Sequence, residues 1–159
     1  MTALQRPLTR EARDTLWLLG ALTLALAPHA DHLPLWCSAG VAGSLLWRAW
    51  LAWQDRALPP RWVLFVALLT AIGLTWTSHR MLLGREAGVT LVVVLSGLKT
   101  LELRARRDAF VVTLLGFFLI LTQFMYSQHM LVALLMLLAT WALLVALILA
   151  VVAPATPVP

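Results

Sequence analysis

Apolar residues fill this chain in six near-continuous stretches, each closed by a short polar gap, and that pattern predicts helices rather than strands. The stretches run roughly from Thr15 to Ala30, Leu33 to Trp53, Trp62 to Ser78, Ala87 to Leu103, Ala109 to Met125 and His129 to Val152. A helix rises about 1.5 Å per residue, so about 17 to 25 apolar residues cross a hydrocarbon layer about 30 Å thick. The expected fold is all-α: a polytopic transmembrane helix bundle of about six spans over residues 15–152, behind a leading segment 1–14 and before a Pro-rich tail 153–159.

The polar gaps carry direction as well as punctuation. Arg6, Arg10 and Arg13 lie in the leading segment, Arg48, Arg56 and Arg61 flank the second gap, and Lys99, Arg104, Arg106 and Arg107 mark the fourth. The opposite side receives only Arg80 and Arg85, and a split of ten against two over short loops places both termini in the cytoplasm. Tryptophan agrees with that map. Trp17, Trp47, Trp50, Trp53 and Trp62 fall near the cytoplasmic ends and Trp36 and Trp76 near the others, as rings that prefer the headgroup region should. A cation-π contact of the tryptophans around Arg48 is the alternative reading of "LLWRAWLAW".

The first stretch has a competing reading as a signal peptide, because three arginines precede it and "APHAD" offers small residues near a cleavage point. Glu11, Asp14 and Pro28 count against it. Small residues at four-residue spacing, Ala39 with Gly43 and Gly40 with Ser44, predict a close helix contact along the second span, and Gly116 predicts one on the fifth.

Composition strengthens the membrane reading. Of 159 residues, 62% are hydrophobic and 12% charged, with a mean hydropathy of +0.89. The net charge of +5 is dispersed through the gaps rather than gathered on one face, so nucleic acid is not the expected partner. The densest charge is "LKTLELRARRD", where Lys99, Glu102, Arg104, Arg106, Arg107 and Asp108 crowd one turn. Lys99 with Glu102, Glu102 with Arg106 and Arg104 with Asp108 are three or four apart, so the segment is expected to continue helically while partly neutralising itself, with Lys99 snorkelling and pairing with Glu102. Its roles are a topological lock and, as the alternative, a docking surface for a cytoplasmic protein.

Candidate chemistry is sparse. His29, His32, His79 and His129, with Asp31 and Glu86, share the outer side and are the candidates for a metal site. The structural reading, residues costly in lipid and therefore left in wet loops, competes with it. Cys37, the lone cysteine, lies in an apolar run with no histidine within a turn and reads as packing. Gln123, near the lipid boundary, needs a helical neighbour for its amide. No catalytic residue and no cofactor site is expected.

Three segments carry a resemblance: "GREAG" before the fourth span, "LKTLELRARRDAF" across the turn, and "GFFLILTQFMYSQ" leading outward. Over about residues 58 to 150 the chain resembles the N-terminal membrane domain of bacterial transglutaminase-like proteins of the TgpA type. The resemblance implies the bacterial inner membrane, and in the family further membrane sequence, a periplasmic domain with a Cys, His and Asp triad, and a last spanning helix. This chain stops at "APATPVP", so no catalytic residue carries over, and Cys37 is not the triad cysteine. The expected function is a non-catalytic membrane anchor for a transglutaminase-like protein, lacking the periplasmic domain. A fragment, a split gene product and a stand-alone module all fit that expectation. The competing function is a small transporter or metal-handling membrane protein using the four histidines.

Overall fold

The computed structural model describes residues 9–54, 56–79, 84–127 and 129–152, without the side chains of His79 and Arg106. Among these residues there are six long helices and no strand: α1 (Arg10–Leu26), α2 (Leu35–Trp53), α3 (Arg61–His79), α4 (Arg85–Leu101), α5 (Arg106–Gln123) and α6 (Met130–Val152). Each expected stretch thus holds one helix. Two helices, α3 over Arg61–Ser78 and α6 over Met130–Val152, are long and apolar enough to cross a membrane. The others fall short of that on length, charge or hydropathy: α1 and α4 have 17 residues each, α5 opens on Arg106, Arg107 and Asp108, and α2, with 19 residues, is diluted by Arg48, its tryptophans and its small residues.

Local chemistry sets the helix ends. Thr9 caps α1 by accepting the N–H of Ala12 at 3.3 Å, with Glu11 in the first turn beside the positive end of the helix dipole. α1 therefore begins five residues before the apolar stretch does, and it closes in a 3-10 turn, Ala27–His29, around Pro28. Inside the helices, hydroxyls bond their own backbone: Thr75 to Ala71 O, Ser96 to Val92 O, Thr113 to Ala109 O and Thr140 to Met136 O, all at 2.7 to 2.8 Å. A hydroxyl satisfied this way needs no water and sits in an apolar layer without penalty.

α1, α4 and α5 occupy the middle of the bundle. α1 packs most extensively on α6 and also meets α5 and α2, whereas α4 joins α2, α3 and α5. Leu22, Val93, Val112, Leu119, Met136 and Leu143 fill the core and are almost wholly buried. Trp17 Nε1 pins α1 to α6 by donating to Ala142 O at 3.1 Å. Outward, the bundle shows large apolar side chains, among them Phe65 and Leu69 on α3 and Leu134, Leu137 and Trp141 on α6.

Glycine marks two of the contacts. A Cβ on Gly97 would come 2.7 Å from Ser44 Oγ and 3.3 Å from Val41 Cγ1, so α4 lies directly on α2 there. One on Gly116 would come 2.8 Å from Leu143 Cδ1, which bears out the close approach expected of α5. The stripe expected on α2 is corrected. Gly40 and Gly43 have nothing within 4 Å and Ala39 is exposed, leaving only Ser44 of that set in a helix contact. The physical reason is that α2's buried face is Cys37, Val41, Ser44, Leu45, Arg48, Leu51 and Ala52, about 100° around the helix from the glycines.

Candidate functional site

The charged turn is built around Asp108. α4 ends at Leu101, the backbone leaves helical geometry over residues 103–105, and α5 starts at Arg106. Asp108 Oδ2 accepts the backbone N–H of Ala105 at 3.0 Å and of Arg104 at 3.2 Å, capping the new helix from its third position. The expected continuous helix is therefore corrected: two backbone donors freed by the break are satisfied by one carboxylate. Lys99 Nζ sits between two acids, 2.8 Å from Glu102 Oε2 and 3.6 Å from Asp108 Oδ1, with only 22% of its side chain exposed.

Of the three pairs read from spacing, Lys99 with Glu102 forms as expected. Arg104 and Asp108 meet through the Arg104 backbone, while the Arg104 guanidinium donates to Pro59 O at 2.8 Å and ties the turn to the α2–α3 link. The third pair ends on the Arg106 side chain, outside the described residues. Arg107 is exposed. Arg61, Lys99, Arg104 and Arg107, with Glu102 and Asp108, line a cleft of about 460 Å³ beside the turn. Burial alone pushes the Asp108 carboxyl up; the N–H groups of Arg104 and Ala105 and the Lys99 ammonium outweigh it and hold the carboxyl below the usual carboxylate range.

One buried charge was missed by sequence reasoning. Arg48, counted there among the loop charges, lies within α2 on its buried face, 8% exposed, and its Nε donates to Thr100 O at 3.2 Å near the end of α4. The signal was in the spacing: Arg48 follows Val41 and Ser44 by seven and four positions, while Trp47, Trp50 and Trp53 share the exposed side. The cation-π contact in this region belongs to Arg56, 5.1 Å above Trp50.

At the opposite end of the bundle the histidines take separate roles. His29 is 2% exposed, with Nδ1 3.2 Å from Ala25 O and Nε2 3.3 Å from Thr122 Oγ1, so both ring nitrogens are engaged. His32 is exposed and lies 5.1 Å from the Tyr126 ring. Arg85 covers the same ring at 4.2 Å and donates to Met125 O at 2.7 Å. His129 is exposed, and its backbone N–H meets Ser127 Oγ at 3.4 Å. The His79 side chain and Arg80 fall outside the described residues. Among the described residues no three of His, Cys, Asp and Glu gather into a group able to hold a metal ion.

Two further buried groups complete the inventory. Cys37 is free and buried against the α4 backbone, its Sγ 4.0 Å from Thr90 O. Gln123 is 1% exposed and its Oε1 has no hydrogen-bond partner, so the helical neighbour expected for its amide oxygen is not supplied by the described residues.

Comparison with known proteins supplies what the geometry does not. A protein-glutamine gamma-glutamyltransferase of Pseudomonas aeruginosa is 39% identical over 133 residues, covering 83% of this chain and 20% of that protein. The chain thus spans about one fifth of the length of that relative. No solved structure matches it. The family described as the TgpA N-terminal domain matches residues 17–157, nearly the whole helical bundle, and the chain belongs to that family.

Proposed function

We propose that this chain is a membrane-anchoring domain that orients a transglutaminase-like protein at the bacterial inner membrane, contributing no chemistry of its own. The observation that carries this reading is the match of residues 17–157 to the TgpA N-terminal domain. On this reading all six helices, of 17 to 23 residues and about 26 to 35 Å at 1.5 Å per residue, cross the hydrocarbon layer. The four less apolar ones do so packed in one bundle with α3 and α6, which alone among the described helices are long and apolar enough by themselves. The exposed apolar surface of α3 and α6 is of the kind lipid covers, since soluble monomers rarely expose contiguous apolar patches beyond a few hundred Å². The glutamyl-transferring activity in the relative's name belongs, on this reading, to the four fifths of that protein outside the match.

The basic end faces the cytoplasm in this account, with both termini, the charged turn and Arg48 on that side. Replacing Arg104, Arg106 and Arg107 together by Glu tests the turn as a topological lock. The expected result is that a periplasm-active reporter inserted in frame after Asp31 of the otherwise intact variant loses most of its signal while one inserted after position 107 gains it. Unchanged reporter signals would show that the turn does not set topology and would move its role to binding an acidic cytoplasmic protein.

A further inference from the structure

The basic end of the bundle holds a cavity of about 800 Å³, walled by the start of α1, the end of α2, the α4–α5 turn and the end of α6. That volume is typical of small-molecule sites. Its walls mix Leu18, Leu51 and Leu149 with charges of both signs: Arg48, Arg56 and Arg104, Glu11 and Asp14. Arg48 is 8% exposed, and its one hydrogen bond among the described residues runs from Nε to Thr100 O. Neither Arg48 nor Arg104 pairs with an acid among the described residues. A guanidinium carries five N–H donors, so Arg48 keeps donor capacity at the wall and a charge that no acid among the described residues compensates.

Asp14 shows the complementary deficit. Its Oδ1 is buried and accepts no hydrogen bond among the described residues; the side chain as a whole is 22% exposed, and that oxygen lies 3.8 Å from Nε of Arg13, itself 66% exposed. Among the described residues the cavity therefore presents, on one set of apolar walls, a buried cation with no anion partner and a buried carboxylate oxygen with no hydrogen-bond donor, only the long contact to Arg13. A simple anion satisfies only the first, and a lipid with a quaternary ammonium brings no N–H to the second.

We propose that this cavity binds the headgroup of a phosphatidylethanolamine-type lipid, with the phosphodiester on Arg48 and Arg104 and the primary ammonium on Asp14, its acyl chains lying along Leu18 and Leu149. The inference rests on the membrane-domain reading. The two fail separately: recovery of the chain in the soluble fraction would undo that reading, whereas the lipid measurements below are made on chain extracted from membranes.

The test is native mass spectrometry of the full chain in detergent, titrated with phosphatidylethanolamine, phosphatidylcholine and phosphatidylglycerol of identical acyl chains, and with soluble glycerophosphoethanolamine. Phosphatidylethanolamine should bind at least tenfold more tightly than the other two lipids, and glycerophosphoethanolamine should compete only at far higher concentration. Arg48→Gln should weaken phosphatidylethanolamine at least tenfold, and Asp14→Asn should abolish its advantage over phosphatidylcholine. Should Arg48→Gln fail to fold, Arg104→Gln carries the same expectation with a smaller, severalfold loss from an exposed position. Equal binding of the three lipids overturns the proposal, as does wild-type affinity in both arginine variants. Competition by glycerophosphoethanolamine at lipid-like concentration overturns the lipid assignment and leaves a soluble phosphoethanolamine site.

Discussion

Replacing Asp108 by Ala removes the acceptor that serves the Arg104 and Ala105 N–H groups at 3.2 and 3.0 Å and a partner of Lys99 at 3.6 Å. Hydrogen bonds to a charged group each contribute about 1.5 to 3 kcal/mol, and these two share one oxygen, so about 2 kcal/mol is the expected loss from the cap. The Lys99 contact adds about 0.2 to 1 kcal/mol, the Asp108 side chain being 12% exposed and that of Lys99 22%. Asp108→Ala should therefore cost about 2 to 3 kcal/mol. Asp108→Asn keeps a neutral acceptor oxygen and should cost about 1 kcal/mol. Unfolding of the chain in mixed micelles by increasing mole fraction of a denaturing detergent, followed by helix circular dichroism, reads both. A double-mutant cycle with Lys99→Gln should return no more than about 1 kcal/mol of coupling. An Asn variant as unstable as the Ala variant would refute the capping argument and assign the stabilisation to charge pairing.

Other consequences follow from the same geometry. Gly97→Ala should destabilise by about 1 to 3 kcal/mol because its Cβ meets Ser44 Oγ at 2.7 Å, whereas Gly40→Ala, with nothing within 4 Å, should gain up to about 1 kcal/mol of helix propensity; the same unfolding assay compares them, and equal signs would contradict the packing described. Gln123→Leu removes a buried oxygen that has no partner and should be neutral or slightly stabilising, read by thermal denaturation in detergent; a large loss of stability would mean that the amide makes contacts beyond the described residues. Because the folded Asp108 carboxyl is held down, its contribution is complete above the unfolded carboxylate's titration and is withdrawn as pH falls through the folded value. Denaturant titrations on the acid side should show stability falling with pH, and more shallowly in Asp108→Asn.

The helices were legible because continuous apolar stretches between charged gaps leave the backbone one economical way to satisfy itself. The charged turn was legible as charge and less so as geometry. Spacing alone supports a continuous helix from Lys99 to Asp108, and only the backbone break shows Asp108 turning to Arg104 and Ala105 instead of the Arg104 guanidinium. The α2 contact failed differently. Gly40 and Gly43 invite close packing, but the face carrying Val41, Ser44 and Arg48 makes it, and a stripe of small residues says nothing of which face a partner takes. Arg48 was hidden by a count that treats every arginine near a gap as a loop charge; the helical register with Val41 and Ser44 would have placed it inward. Asp14 on α1 and Arg48 on α2 are more than thirty positions apart in sequence, so their shared cavity is visible only in three dimensions.

The central claim is that the charged turn and the Asp31 loop lie on opposite faces of the inner membrane. Single cysteines at Arg107 and at Asp31, each in a Cys37→Ser background, should be probed in intact spheroplasts with a membrane-impermeant maleimide. The account predicts labelling at position 31 and none at 107 until the membrane is permeabilised. Labelling at 107 in intact spheroplasts, or equal labelling at both positions, would contradict it.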